Sequence, residues 1–120
     1  MKQFLSKNEL DKLLKKAQNL LDKKEYFNAL VLFEQAKFGL INNPLGSEQI
    51  FKKIQIHIVE TSNIIGLAFL EQGNNDASLE FLKKAEISAR QSGQGLFMTL
   101  NNLACFYKQI GKNRVALGYL

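Results

Sequence analysis

Three stretches of this chain can be laid on one another, and that internal repeat restricts its fold more than any other feature. KEYFNALVLFEQA (Lys24 to Ala36), GNNDASLEFLKKA (Gly73 to Ala85) and GKNRVALGYL (Gly111 to Leu120) each open on a turn and place a small residue five positions on, at Ala29, Ser78 and Ala116. A bulky apolar residue follows four later, at Phe33, Leu82 and Leu120, and an alanine closes the first two stretches at Ala36 and Ala85. Upstream of each turn a small residue precedes a large one by three positions: Ala17 and Leu20, Gly66 and Phe69, Ala104 and Tyr107. Small residues let two helices approach closely, and large ones fill the gaps beside them. A unit of helix, tight turn and helix cannot bury its apolar faces alone, so such units must pack on one another.

The helices themselves are legible from their period. Ser6 and Glu9 form a capping box, behind which Leu10, Leu13, Leu14, Ala17, Leu20 and Leu21 recur at helical steps. This spacing predicts a first helix over about Lys7 to Lys23 and a short turn at Lys24-Glu25. A second helix, about Tyr26 to Ile41, carries Tyr26, Ala29, Leu30, Phe33, Ala36 and Leu40 on one side and is stopped by Asn42-Asn43-Pro44. So short a connection makes the pair an antiparallel hairpin. NNPLGS, Asn42 to Ser47, is the strongest linker signal. Beyond it, Ile54, Ile56 and Ile58 alternate with polar neighbours as a half-buried strand would. However, Phe51, Ile54, Ile58, Thr61, Ile65, Ala68 and Gln72 step by three and four throughout, which predicts one long helix over about Glu48 to Gln72. Gly73 ends it, and Asn74-Asn75-Asp76 supplies the turn and N-cap of a fourth, about Asp76 to Gln91, with Ala77, Leu79, Phe81, Leu82, Ala85 and Ala89 apolar. After the break Ser92-Gly93-Gln94-Gly95, a fifth helix over about Leu96 to Ile110 carries Leu100, Leu103, Ala104, Tyr107 and Ile110. Gly111 closes it, and Asn113 is the expected N-cap of a sixth with Val115, Ala116, Tyr119 and Leu120. The fold class expected is therefore all-α, a single domain of hairpins over about 7–41, 48–91 and 96–120, the third cut short. Its open end is expected to pack against further repeats or another chain, as the N-terminal part of a longer protein.

Charge and cysteine content exclude several function classes. Of 16 basic and 11 acidic residues, 10 and 7 fall in residues 1–60, so the net +5 is not a basic tail. Lysine pairs such as Lys15-Lys16 and Lys83-Lys84 have acidic neighbours within a turn or two and read as solvated helix faces; a salt-sensitive binder of nucleic acid or membrane surface is the competing reading. One cysteine, Cys105, permits neither an internal disulfide nor a CxxC site. The N-terminus lacks a signal-peptide pattern, and no apolar run is long enough to span a bilayer, so cytoplasmic or cytoskeletal residence is expected.

With its small-x-x-aromatic helix, glycine turn, and small, aromatic and alanine positions, the chain resembles the tetratricopeptide repeat family over almost its full length. Lys24 stands at the first unit's usual glycine position, and the spacings of 49 residues (Ala29 to Ser78) and 38 (Ser78 to Ala116) exceed the roughly 34 of the standard repeat. Enlarged repeats containing TLNNLA are most similar to those of kinesin-light-chain-like adaptors. The resemblance implies a right-handed solenoid acting as a protein-interaction scaffold, with first helices lining a concave groove where an asparagine bonds the backbone of an extended peptide. An amide both donates and accepts, which suits peptide backbone whatever its side chains. Asn101 and Asn102 stand at the matching turn, with Cys105 and Lys108 beyond them; the same offset gives Glu60, Asn63, Leu67 and Leu70 in the second unit and Asp11, Leu14, Gln18 and Leu21 in the first. The family's basic carboxylate clamp is not expected, since Leu14, Gln18, Asn63 and Leu67 occupy several of its places. The competing reading makes Asn101 and Asn102 ordinary polar residues bonded between neighbouring helices. A small trafficking-type helical module, which the first hairpin also resembles, is the alternative architecture.

No enzyme, cofactor or metal is expected. His57 is the only histidine; Glu60 is one turn away, but no second ligand stands at motif spacing, and it reads as a helix-surface residue. Cys105, with no basic partner in view, reads as a small packing residue rather than a nucleophile. Gly93-x-Gly95 is too short for a phosphate loop and follows a helix. Glu80 and Glu86 read as solvent-face charges.

Overall fold

The computed structural model describes residues 5–41 and 48–119. Six helices run in chain order: α1 (Lys7–Asp22), α2 (Tyr26–Leu40), α3 (Glu48–Glu71), α4 (Asn75–Ser92), α5 (Leu96–Gln109) and α6 (Asn113–Gly118). There is no strand among the described residues, so the Ile54–Ile58 alternation is helical. The NNPLGS linker and Leu120 lie outside the described residues.

Helix starts and stops follow local chemistry. The Ser6–Glu9 capping box closes in both directions, with the Glu9 amide donating to Ser6 Oγ at 3.2 Å and the Ser6 amide to Glu9 Oε1 at 3.0 Å. Asn74 caps α4 by accepting from the Ala77 amide at 3.2 Å. At α6 the N-cap is Lys112, without a side-chain bond, rather than Asn113.

The α1–α2, α3–α4 and α5–α6 turns share one geometry. Each has a left-handed residue after the helix end: Lys24 (φ 61°), Gly73 (φ 79°) and Gly111 (φ 84°). In each, the following amide reaches back to a carbonyl of the last turn: Glu25 to Leu20 at 2.8 Å, Asn74 to Phe69 at 2.9 Å and Lys112 to Tyr107 at 2.7 Å. These are the bonds of a Schellman ending, and they fix how the second helix leaves the first. Lys24 thus adopts a conformation that favours glycine.

Beyond each turn the small residues meet. Ala17 and Ala29, Gly66 and Ser78, and Ala104 and Ala116 are all buried. At the α3–α4 crossing, Ser78 Oγ donates to the Gly66 carbonyl at 2.7 Å. A Cβ on Gly66 would stand 2.8 Å from Leu82 Cγ and Cδ2, so the close approach requires glycine.

Each helix packs on the next, and α3 also touches α5. The core accordingly forms in two parts. Leu10, Leu30, Phe33, Leu40, Ile54 and Ile58 centre one across α1, α2 and α3, and Leu70, Leu82, Leu103 and Phe106 the other across α3, α4 and α5. Because α3 meets α2, α4 and α5, it buries more than one stripe: Gln55, Val59, Ser62 and Asn63 join the expected Ile54, Ile58, Thr61 and Ile65, while Ala68 and Gln72 are exposed. The Cα atoms extend 48 × 27 × 25 Å, with a radius of gyration of 15.5 Å. No helix among the described residues is long and apolar enough to cross a membrane.

Candidate functional site

Helix α3 has an open side between its contacts with α2 and α5. Glu60, Ile64 and Leu67 step along it at four and three residues; Glu60 is exposed, Ile64 is 42% exposed and Leu67 is half-buried on the second core. On α5, which the Asn63 bonds to Thr99 and Asn102 hold against α3, Met98 (42% exposed), Asn101 and Cys105 recur at three and four residues, with Cys105 and Lys108 exposed and Asn101 half-buried. The result is a mixed strip in which apolar side chains alternate with an amide, a thiol and single charges.

A polar relay crosses beneath the strip. Thr99 Oγ1 donates to the Gly95 carbonyl at 2.9 Å and accepts from Asn63 Nδ2 at 2.9 Å. Asn63 Nδ2 also donates to the Val59 carbonyl at 3.0 Å, and Asn63 Oδ1 accepts from Asn102 Nδ2 at 2.9 Å. Asn63 is only 2% exposed, so its amide is wholly engaged between α3 and α5. Its low-dielectric surroundings make each of these bonds costly to leave unmade. Asn102 differs. It is half-buried, one amide proton is held by Asn63, and its carbonyl oxygen makes no hydrogen bond within the described residues. The relay thereby fixes the orientation of an amide whose acceptor remains open.

Of the residues singled out from the sequence, Asn63 and Asn102 are brought into direct contact, Glu60, Leu67, Asn101, Cys105 and Lys108 line or flank the strip, and Asn63 lies under it. Thr99, fully buried, escaped the sequence reading. Its position four after Gly95 was the available signal, because a helical threonine hydroxyl commonly bonds the carbonyl one turn back. Gly95 itself sits against α3: a Cβ there would stand 2.8 Å from Val59 Cγ1.

Three other expectations change. Cys105 is exposed and is not a packing residue. His57 is half-buried with its ring stacked on Phe33, centroids 4.7 Å apart, and its Nδ1 buried without a hydrogen-bond partner, rather than lying open on a helix surface. Glu86, its side chain 14% exposed, bridges Lys83 at 3.3 Å and Arg90 at 3.1 Å rather than facing solvent. Lys83 also donates to the Tyr119 hydroxyl at 2.7 Å, and Tyr119 stacks on Tyr107 at 5.5 Å, which ties α6 to α4 and α5. The Tyr119 hydrogen bond, aided by Glu86, holds the Lys83 ammonium above the usual value of 10.5 against the opposing effect of burial. Burial, with Tyr119 adding to it, pushes the Tyr107 phenol above 10.0. Among the described residues no group of three or more His, Cys, Asp and Glu side chains could hold a metal ion. Family models, curated proteins and solved structures give no match to this chain, and its own geometry carries the reading of its function.

Proposed function

We infer that this protein is a tetratricopeptide-like interaction scaffold, with its hairpins stacked as a right-handed solenoid and a partner's extended segment held along the α3–α5 strip. The observation that carries the reading is Asn102: its amide is anchored by the Asn63–Thr99 relay, its carbonyl has no partner among the described residues, and partly exposed apolar side chains stand one turn away, Met98 before it on α5 and Leu67 beyond Asn63 on α3. An oriented acceptor beside apolar side chains suits an extended peptide, whose amide donates to Asn102 while alternate side chains rest on the strip. The shared turn geometry and the three buried small-residue crossings support the stacked arrangement. They are what repeated hairpins need if each is to bury its faces against the next.

The test is selection of peptides from a displayed random library on the full chain, followed by measurement of the hits against Asn102→Ala. A strip that works through this amide loses about tenfold or more in affinity; because the buried Asn63 Oδ1 also loses its donor, the melting temperature falls, and the affinities are compared well below the variant's own melt. Hits that bind Asn102→Ala as tightly as the parent chain overturn the reading.

A further inference from the structure

A second surface lies between α1 and α2. Helix α2 buries Ala29, Leu30, Phe33, Ala36 and Leu40, yet its outward side is also apolar. Val31 is 40% and Phe38 77% exposed. A helix that is hydrophobic all round is one whose second face is normally covered. Here that face forms a wall of an open groove of about 880 Å³, with Leu13 on its floor and Lys12 and Lys16 of α1 on the opposite wall.

The charges decide what fits. Both carboxylates lining the groove are already engaged: Glu9 Oε1 accepts from the Ser6 amide at 3.0 Å, and Glu34 Oε1 lies 2.8 Å from Lys84 Nζ. Lys12 and Lys16, one turn apart and exposed, have no ion-pair partner among the described residues. Lys84 offsets Glu34, while Glu9 keeps its charge against Lys12 and Lys16, so among the described residues the lining carries a small net positive charge beside open apolar surface. With side chains for walls and no strand edge among the described residues, the groove offers little to an occupant's backbone, so that occupant must satisfy its own backbone hydrogen bonds. The stretch from Glu9 to Lys16 presents about two helical turns for contact.

We propose that the α1–α2 groove docks an acidic amphipathic helix of a partner protein, its apolar stripe on Val31 and Phe38 and its carboxylates on Lys12 and Lys16. This interface is separate from the α3–α5 strip and independent of how that strip is used.

The test uses the full chain and two synthetic helical peptides of about 15 to 20 residues, long enough to hold helical structure alone. Both carry leucines at i, i+3, i+4 and i+7; one has glutamates flanking that stripe and the other lysines. The acidic peptide binds about tenfold more tightly than the basic one at low salt, and the preference shrinks as salt rises. Lys12→Glu with Lys16→Glu reverses the preference, Phe38→Ser weakens both peptides, and Asn102→Ala changes neither. The substituted groove residues are exposed, and an unchanged circular dichroism spectrum shows that each variant folds. Equal affinity for the two peptides, binding of neither, or a preference that survives the double charge reversal overturns the proposal. So does concentration-dependent self-association abolished by Phe38→Ser, which would assign the groove to a second copy of this chain.

Discussion

Asn63 is the residue on which most depends within the α3–α5 interface. Its amide contacts Val59, Thr99 and Asn102, and replacement by alanine leaves a buried threonine hydroxyl short of a donor and frees the Asn102 amide to turn. Asn63→Ala is expected to destabilise the chain by about 1–3 kcal/mol, read as a lower denaturant midpoint at unchanged slope. It should also weaken peptides selected on the parent chain, because Asn102 loses its anchor. Lys24 makes the opposite case. Its φ of 61° costs a non-glycine residue about 1 kcal/mol, so Lys24→Gly stabilises by roughly that amount, whereas Gly73→Ala and Gly111→Ala each destabilise by a similar amount. Thermal melts of the three variants check the signs. At this scale the sequence was informative where a residue type implies a conformation, as at Gly73 and Gly111, and at Lys24 only through the repeat, which sets a lysine at the glycine position and so at a left-handed turn. It was uninformative about which face of a helix an asparagine presents, since Asn63 and Asn102 look alike as letters and end up at 2% exposed and half-buried.

At the scale of elements, the hairpins hold by contact between small residues. Gly66→Val forces side-chain volume into the space of Leu82, and overpacking of that kind costs about 1–3 kcal/mol. Loss of amide protection in α3 and α4 together, measured by hydrogen exchange, is the expected signature. Helix α6 is tied down by polar and aromatic contacts with α4 and α5, and its attachment depends on pH. The pKa values of Lys83 and Tyr107 are both raised by folding, so their contribution to stability is complete below about pH 10 and is lost as pH rises through the raised values. Melting temperature should therefore hold up to about pH 10 and fall above it, and Tyr119→Phe, which removes the acceptor for Lys83, should shrink that fall. Helix limits were readable to within a residue or two because caps and glycines punctuate the chain. The extent of burial on α3 was not, because a three-four stripe describes a helix with one neighbour and α3 has three.

At the scale of the whole molecule, the chain is an ordered series of helices in which each touches the next, and α3 belongs to both parts of the core. That arrangement leaves two unlike surfaces: a strip on α3 and α5 with an oriented amide, and a groove on α1 and α2 whose two lysines have no ion-pair partner among the described residues. The first was approached from sequence because its asparagines stand at a recognisable turn. The second was not, because one apolar stripe accounts for burying α2 and nothing in the period says that its other face stays open. The central claim is that an extended partner lies along the α3–α5 strip. Its most direct measurement is amide chemical-shift mapping of the full chain titrated with a library-selected peptide. The largest shifts are expected at Ile64, Leu67, Met98, Asn102 and Cys105, collapsing in Asn102→Ala. Shifts confined to α1 and α2, or undiminished in Asn102→Ala, would contradict it.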